Sequence, residues 1–329
     1  MSVTVDGGMG TRVRDGVGTT VRQPWMVALV GALAMWVFLI IVGQQQSAFG
    51  LLTSNAFLAS FTAIAALGQM LVISGGDGAI DLSIPKVITF SVYVVTLLQG
   101  GENIRLPLAI LATVAIGALF GAVSGFLVVV MRVPAIVATL AVGFIVDSGV
   151  IILSNVPGRG QASPILAAVA RNSFLWIPLM AWIAIIFTVI VAVLVWRTGF
   201  GLRIMAAGQN APAARMAGLK PTSARFITFV LSGTFASITG ILLSAYANGA
   251  FLGIGSDYLM ASIAAVVLGG TIMMGGRPSV VGALLGALFL SFVLTTTNTL
   301  AIPPGARLIV QGVIILGALA IGTARRKDR

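Results

Sequence analysis

The stretch Leu106–Met131, LPLAILATVAIGALFGAVSGFLVVVM, contains no Asp, Glu, Lys or Arg. A helix needs about 20 mostly apolar residues to cross the hydrocarbon core of a bilayer, and this run is long enough to do so. Similar runs lie on both sides of it. Upstream are Pro24–Gly43, Leu51–Ser74 and Ile84–Leu98. Downstream are Pro134–Leu153, Phe174–Trp196, Phe226–Ala247, Tyr258–Met274, Val280–Thr297 and Gly305–Thr323. Backbone amides in a bilayer need internal partners, so these runs are expected to be helices. They are continuously apolar rather than alternating, which excludes a β-barrel reading. The fold class is therefore an all-α integral membrane protein with about ten transmembrane helices. The runs at Ile84 and Tyr258 are short for full spans, so tilted, broken or partial crossings are open for both.

Composition supports this class. The hydrophobic fraction is 58% and the charged fraction 8% in 329 residues, whereas a soluble domain carries about 25% charged residues. The chain has no Cys and no His. That excludes disulfides and thiol chemistry, and removes the commonest general base and metal ligand. No metal site is expected. The net charge of +11 reads as topological rather than nucleic-acid-binding, because the basic residues lie between apolar runs.

Ten crossings from a cytoplasmic N-terminus place 15 of the 19 Lys and Arg inside and only Arg105, Arg159, Arg171 and Arg307 outside. Lys86 falls in the inside set. An odd number of crossings spoils the bias, so both termini are expected in the cytoplasm. Residues 1–23 read as a polar cytoplasmic tail rather than a cleaved signal, 24–323 as a single transmembrane domain, and 324–329 as a basic cytoplasmic tail.

The longest hydrophilic island, residues 197–225, carries five of the inside charges. Asn210 is a good helix N-cap and Pro212 is tolerated in a first turn. Ala211, Ala213, Ala214, Arg215, Met216 and Ala217 favour helix. Gly218 provides a left-handed stop and Pro221 prevents continuation. This predicts a helix of about two turns, too short to be stable alone in water. The alternatives are a docking element and a solvated basic loop that merely follows the positive-inside rule.

The island RTGFGLRIMAAGQNAPAARMAGL, Arg197–Leu219, resembles the characteristic cytoplasmic loop of permease subunits in ribose-type ATP-binding-cassette importers. Thr198, Gly201, Ala206, Gly208, Asn210, Ala213, Ala214, Arg215 and Gly218 fall on that family's pattern. AAVVLGGTIMMGGRPSVVGALLGALFL, Ala264–Leu290, resembles its LGGT and glycine-rich stretch, with Pro278 where a glycine is usual. LVISGGDGAIDLSI, Leu71–Ile84, resembles its ISGGIDLS signature, split here by Asp77–Ala79 and followed by Pro85-Lys86 in place of Val-Gly. GAVSGFLVVVMRVPAIVATLAV, Gly121–Val142, resembles its fourth-to-fifth helix region. The likeness runs from the second span onward.

The resemblance implies a type II importer-like permease fold in the bacterial cytoplasmic (inner) membrane. It also implies a pore half for a sugar or sugar-like solute, working with separate cytoplasmic ATPase subunits, a second permease chain and an extracytoplasmic solute-binding protein. Gly208, Asn210, Ala213, Ala214, Arg215, Met216 and Gly218 would form the coupling loop on the ATPase. The chain itself is expected not to be an enzyme and to hold no cofactor, with ATP and Mg bound by the partner. Its lysines, Lys86, Lys220 and Lys327, lack the G-x-x-x-x-G-K-[ST] context of a phosphate-binding loop. The split ISGG block raises the further idea of pairing with a different permease chain.

Buried acids are informative, because a charge in hydrocarbon costs about 2.5–3.5 kcal/mol on insertion scales unless paired or wet. Gly75, Gly76, Asp81, Ser83 and Asp147 are the candidate pathway or broken-helix residues. Asp81 with Ser83 either stabilises a broken helix near the pathway or simply caps the helix that follows. Asp147 lies within the fifth span and has a structural or cavity role. Gly269, Gly270, Gly275, Gly276, Gly282 and Gly286 are assigned to helix packing, as are Gly117, Gly121 and Gly125; pore lining is the alternative. Three other readings remain: a related importer for a nucleoside, polyol or furanose signal, an ion-coupled secondary transporter, and a membrane scaffold.

Overall fold

The structure, a computed structural model, describes residues 23, 25–42, 47–156, 161–303, 305–307, 309–310, 312–313 and 317. Helices dominate these residues: α1 (Met26–Val42), α2 (Ala48–Ser74), α3 (Ile84–Gln99), α4 (Leu106–Val129), α5 (Ala135–Ser154), α6 (Pro164–Arg171), α7 (Leu179–Arg197), α8 (Gly199–Met216), α9 (Pro221–Ala247), α10 (Tyr258–Leu268) and α11 (Val280–Thr299). Length and apolarity suffice for a membrane crossing in α2, α4 with its 3-10 lead-in, α5, α7, α9 and α11. The helices α1, α3 and α10 are apolar but shorter. The described residues between 305 and 317 are helical. The rest of the expected last span, both tails and most of the basic residues in them lie outside the described residues.

Each helix boundary has a local cause. α2 stops at Ser74 because Gly76, Asp77 and Gly78 all take positive φ, which no right-handed helix tolerates. Pro85 then sits in the first turn of α3, where its missing N–H is harmless. The expected span Phe174–Trp196 starts later. Ser173–Phe174 and Ile177–Pro178 pair as a small antiparallel hairpin, and α7 begins only after Pro178. Two helices lie outside the ten runs. One is α6, where the Ser163 hydroxyl accepts from Leu166 N. The other is the first part of α8, which makes residues 199–209 helical rather than loop. The eighth run also ends early: α10 stops at Leu268, and residues 269–279 follow without helix.

The core is built twice over a common plan. α2 and α9 each have 27 residues, and each is followed by a non-helical stretch and a short apolar helix. α9 packs on α3 and α4, α2 packs on α10 and α11, and α2 and α9 pack on each other. The glycines explain the close approach of α4 to α9. A Cβ on Gly121 would overlap the Phe229 carbonyl, and one on Gly233 would overlap the carbonyl of Gly117. Between α10 and α11, Gly269 meets Gly282 and Gly286 meets Ala265 in the same way. Gly270, Gly275 and Gly276 differ from the packing assignment. They lie in the non-helical stretch with φ of 86°, 94° and 79°, so they shape a turn instead of a helix face.

Candidate functional site

Two regions hold the candidate residues. The first is a junction around α8. Asn210 has φ −159° and ψ 94°, which breaks α8 in two. The break falls two residues before Pro212, whose ring cannot follow a continuous helix. Asn210 Oδ1 accepts from Ala213 N at 3.0 Å, capping the second piece, and Gly218 closes it with φ 78°. The first piece is clamped into the body. A Cβ on Gly208 would overlap Gly276 N and Ser74 O, and one on Gly76 would lie 2.8 Å from Gly208 Cα. Gly276 N donates to Ser74 O at 2.9 Å, and Gln209 Nε2 donates to Gly276 O at 3.1 Å. The C-terminal end of α2, the stretch after α10 and the middle of α8 are thus joined backbone to backbone.

The coupling-loop residues divide into two groups. Gly208 belongs to this internal junction, and Ala214 is buried at 5% exposure. Gly208 is half-buried with its Cβ side filled by the junction, and Ala214 presents little surface to a partner. Pro212, Ala213, Arg215 and Ala217 are exposed, and Met216 projects with 91% exposure. Beside this turn lies a cleft of about 580 Å³. It is bounded by residues 77–79, the end of α4, the start of α5 and the start of α9, with Arg132, Arg215 and Arg225 on its walls. Arg225 pairs with Asp77 at 2.6 Å.

The second region follows the split block. Asp81 is fully buried. Its Oδ1 accepts from Ser83 N at 3.0 Å and Ser83 Oγ at 2.6 Å, and its Oδ2 from Ser232 Oγ of α9 at 2.7 Å. It therefore holds the N-cap residue of α3 and ties the start of that helix to α9. Thr139 Oγ1 donates to Ile80 O and accepts from Leu82 N. Further along α5, Gly143 adjoins Ser83 and Asp147 pairs with Lys86 at 2.8 Å. The steps 139, 143 and 147 show that residues 80–86 run along α5 turn by turn.

Lys86 therefore lies in the first turn of α3, paired with α5, rather than in a loop between spans. Asp147 lies about 18 Å along α5 from Ala135 at 1.5 Å per residue, and Lys86 is level with it. The ion pair was not legible in the sequence, although Pro85-Lys86 at a family Val-Gly position was a signal. Among the described residues, no group of three or more Asp or Glu could hold a metal ion.

The molecule is thus a helical bundle with interrupted spans, a kinked helix clamped at its middle and an exposed turn beyond the kink. The profile described as branched-chain amino acid transport system / permease component matches residues 51–319, and the chain belongs to that family of multi-pass membrane proteins. It is 30% identical over 318 residues to the ribose import permease protein RbsC of Escherichia coli (strain K12), covering 92% of this chain and 96% of that protein. It is also 30% identical to the autoinducer 2 import system permease protein LsrC of Salmonella typhi, over 89% of this chain and 83% of the relative. A third relative, the galactofuranose transporter permease protein YtfT of Escherichia coli (strain K12), is 30% identical over 91% and 87% of the two chains. Among solved structures, a chain of an inward-facing metal-chelate type ABC transporter aligns with a TM-score of 0.50 at 15% identity, covering 90% of this chain and 98% of that one. That likeness concerns the fold.

Proposed function

We propose that this chain is the pore-forming subunit of an ATP-binding-cassette importer that moves a sugar or sugar-like solute inward across the cytoplasmic membrane. The supporting observation is α8: beyond the Asn210 kink Pro212, Ala213, Arg215 and Met216 are exposed, and the middle of the helix, at Gly208 and Gln209, is clamped against α2 and the stretch after α10. A push on Met216 reaches the ends of α2 and α10 through the Gly208 and Gln209 contacts with Gly276 and Ser74, and those two ends are themselves tied by Gly276 N–Ser74 O. A rigid link of this kind lets an ATPase favour one of two packed arrangements of the bundle, as alternating access requires.

Separate ATPase subunits bind ATP and Mg and dock on the exposed turn. A second permease chain completes the pore, a solute-binding protein delivers from outside, and both termini lie in the cytoplasm. The sugar class is carried over from relatives whose names specify ribose, autoinducer 2 and galactofuranose. The test is solute-stimulated ATP turnover in the complex reconstituted with its ATPase and binding protein. Stimulation by a sugar is expected; an assembled complex that responds only to branched-chain amino acids would remove the sugar reading.

A further inference from the structure

The Lys86–Asp147 pair is unusual in its depth. An ionisable pair about 18 Å into a helix roughly 30 Å long sits near the middle of a bilayer, where charged side chains face a protein interior or water-filled cavity. Yet each side chain keeps 37% of its surface exposed in the single chain. Lipid is the wrong neighbour for that exposed portion. Ser148, the next residue of α5, is exposed as well.

A second polar segment reaches the same level from the other half of the fold. Gly255 packs so closely on Pro85 that a Cβ would overlap the Pro85 carbonyl, and Gly255 N donates to Thr89 Oγ1 at 3.1 Å. Lys86 follows Pro85 in the chain, and Ser256 and Asp257 follow Gly255. Ser256 and Asp257 are exposed, and the Asp257 side chain does not cap α10. The start of α10 thus meets the start of α3 at Pro85, one residue from Lys86.

We infer that Lys86, Asp147, Ser256 and Asp257 line a wet mid-membrane site on the solute pathway, and that its ligand is a neutral polyhydroxylated molecule. The inference rests on the import reading above and extends it to named solute contacts. A carboxylate and an ammonium held together cancel in net charge, while their outward lone pairs and N–H groups accept from and donate to hydroxyls. Asp257, at the start of α10, is a further acceptor; its negative charge disfavours an anionic solute and leaves hydroxyl donors as its partners.

The absence of cysteine makes the test direct. Single variants Lys86→Cys, Ser256→Cys and Asp257→Cys are placed in the full transporter in membrane vesicles and treated with a membrane-impermeant, positively charged methanethiosulfonate. Val87→Cys, fully buried beside Lys86, is the unreactive reference. Labelling at least about tenfold faster than at Val87→Cys is expected at all three positions, slowed by millimolar D-ribose, D-galactose or myo-inositol, whichever the wild type imports. Cysteines as inert as the reference, or inert but cross-linking to a second copy, would place the pair in a dry interface and overturn the inference. Fast labelling that no imported polyol slows would overturn the ligand contact. If the wild type imports none of the three, the import reading and the ligand class fall together, while the labelling rates still decide whether the site is wet.

Discussion

Gly208 and Gly276 meet with no room for a side chain between them: a Cβ on Gly208 would overlap Gly276 N, and one on Gly276 would overlap Gln209 and lie 3.1 Å from the Gly208 carbonyl carbon. This contact joins the clamped half of α8 to the stretch after α10, and Ser74 O on Gly276 N extends it to α2. Replacing Gly208 with Ala forces the three backbones apart. Overpacking of this kind typically costs about 1–3 kcal/mol. A lower melting temperature in detergent is expected, with solute-stimulated ATP turnover lost in the surviving complex. Wild-type behaviour in both would show that the junction is not rigid.

Met216 offers the complementary test. It is almost fully exposed, so Met216→Glu should change stability by no more than about 0.5 kcal/mol. If the turn docks on an ATPase, the same change should cut stimulated ATP turnover at least about tenfold. Ala213→Glu, also exposed, should behave alike. Ala214→Glu is uninformative for docking, since it buries a carboxylate and damages the fold itself.

Ser232 holds the second oxygen of buried Asp81. Ser232→Ala leaves that oxygen without its partner, and an unsatisfied buried polar group costs about 1–3 kcal/mol. A melting point lower than that of a Thr234→Val control is expected, since Thr234 bonds only within its own helix. Equal melting points for the two variants would mean that Asp81 does not tie α3 to α9.

The α4–α9 seam can be probed from either side. Gly121→Leu and Gly233→Leu each place a side chain against backbone carbonyls, and each is expected to abolish recovery of folded protein. Gly249→Ala, with open space around it, should be recovered at wild-type levels. Monodisperse Gly121→Leu on size exclusion would show that the seam is looser than the structure has it.

By itself the sequence determined the membrane class and most of the spans, because continuous apolar runs and a low charge content admit few other physical solutions. It also determined the local breaks at Asn210, Gly218 and Pro221, since caps and stops depend on one residue and its immediate neighbours. The family blocks at Arg197–Leu219 and Ala264–Leu290 were legible as strings of small residues, but their partners were not. Only the tertiary structure showed that Gly208, Gly276 and Gly76 belong to one junction, because these residues are far apart in sequence and a glycine's spacing does not say which backbone it meets. The doubling of the core was likewise hidden: α2 and α9 share a length and a short apolar helix that follows, not a motif. Lys86 is the sharpest case. Charge counting placed it in the cytoplasm, since it follows the second crossing from a cytoplasmic N-terminus. The climb of residues 80–86 along Thr139, Gly143 and Asp147 carried it to mid-span, where the opposite charge needed to stabilise it comes from a different helix.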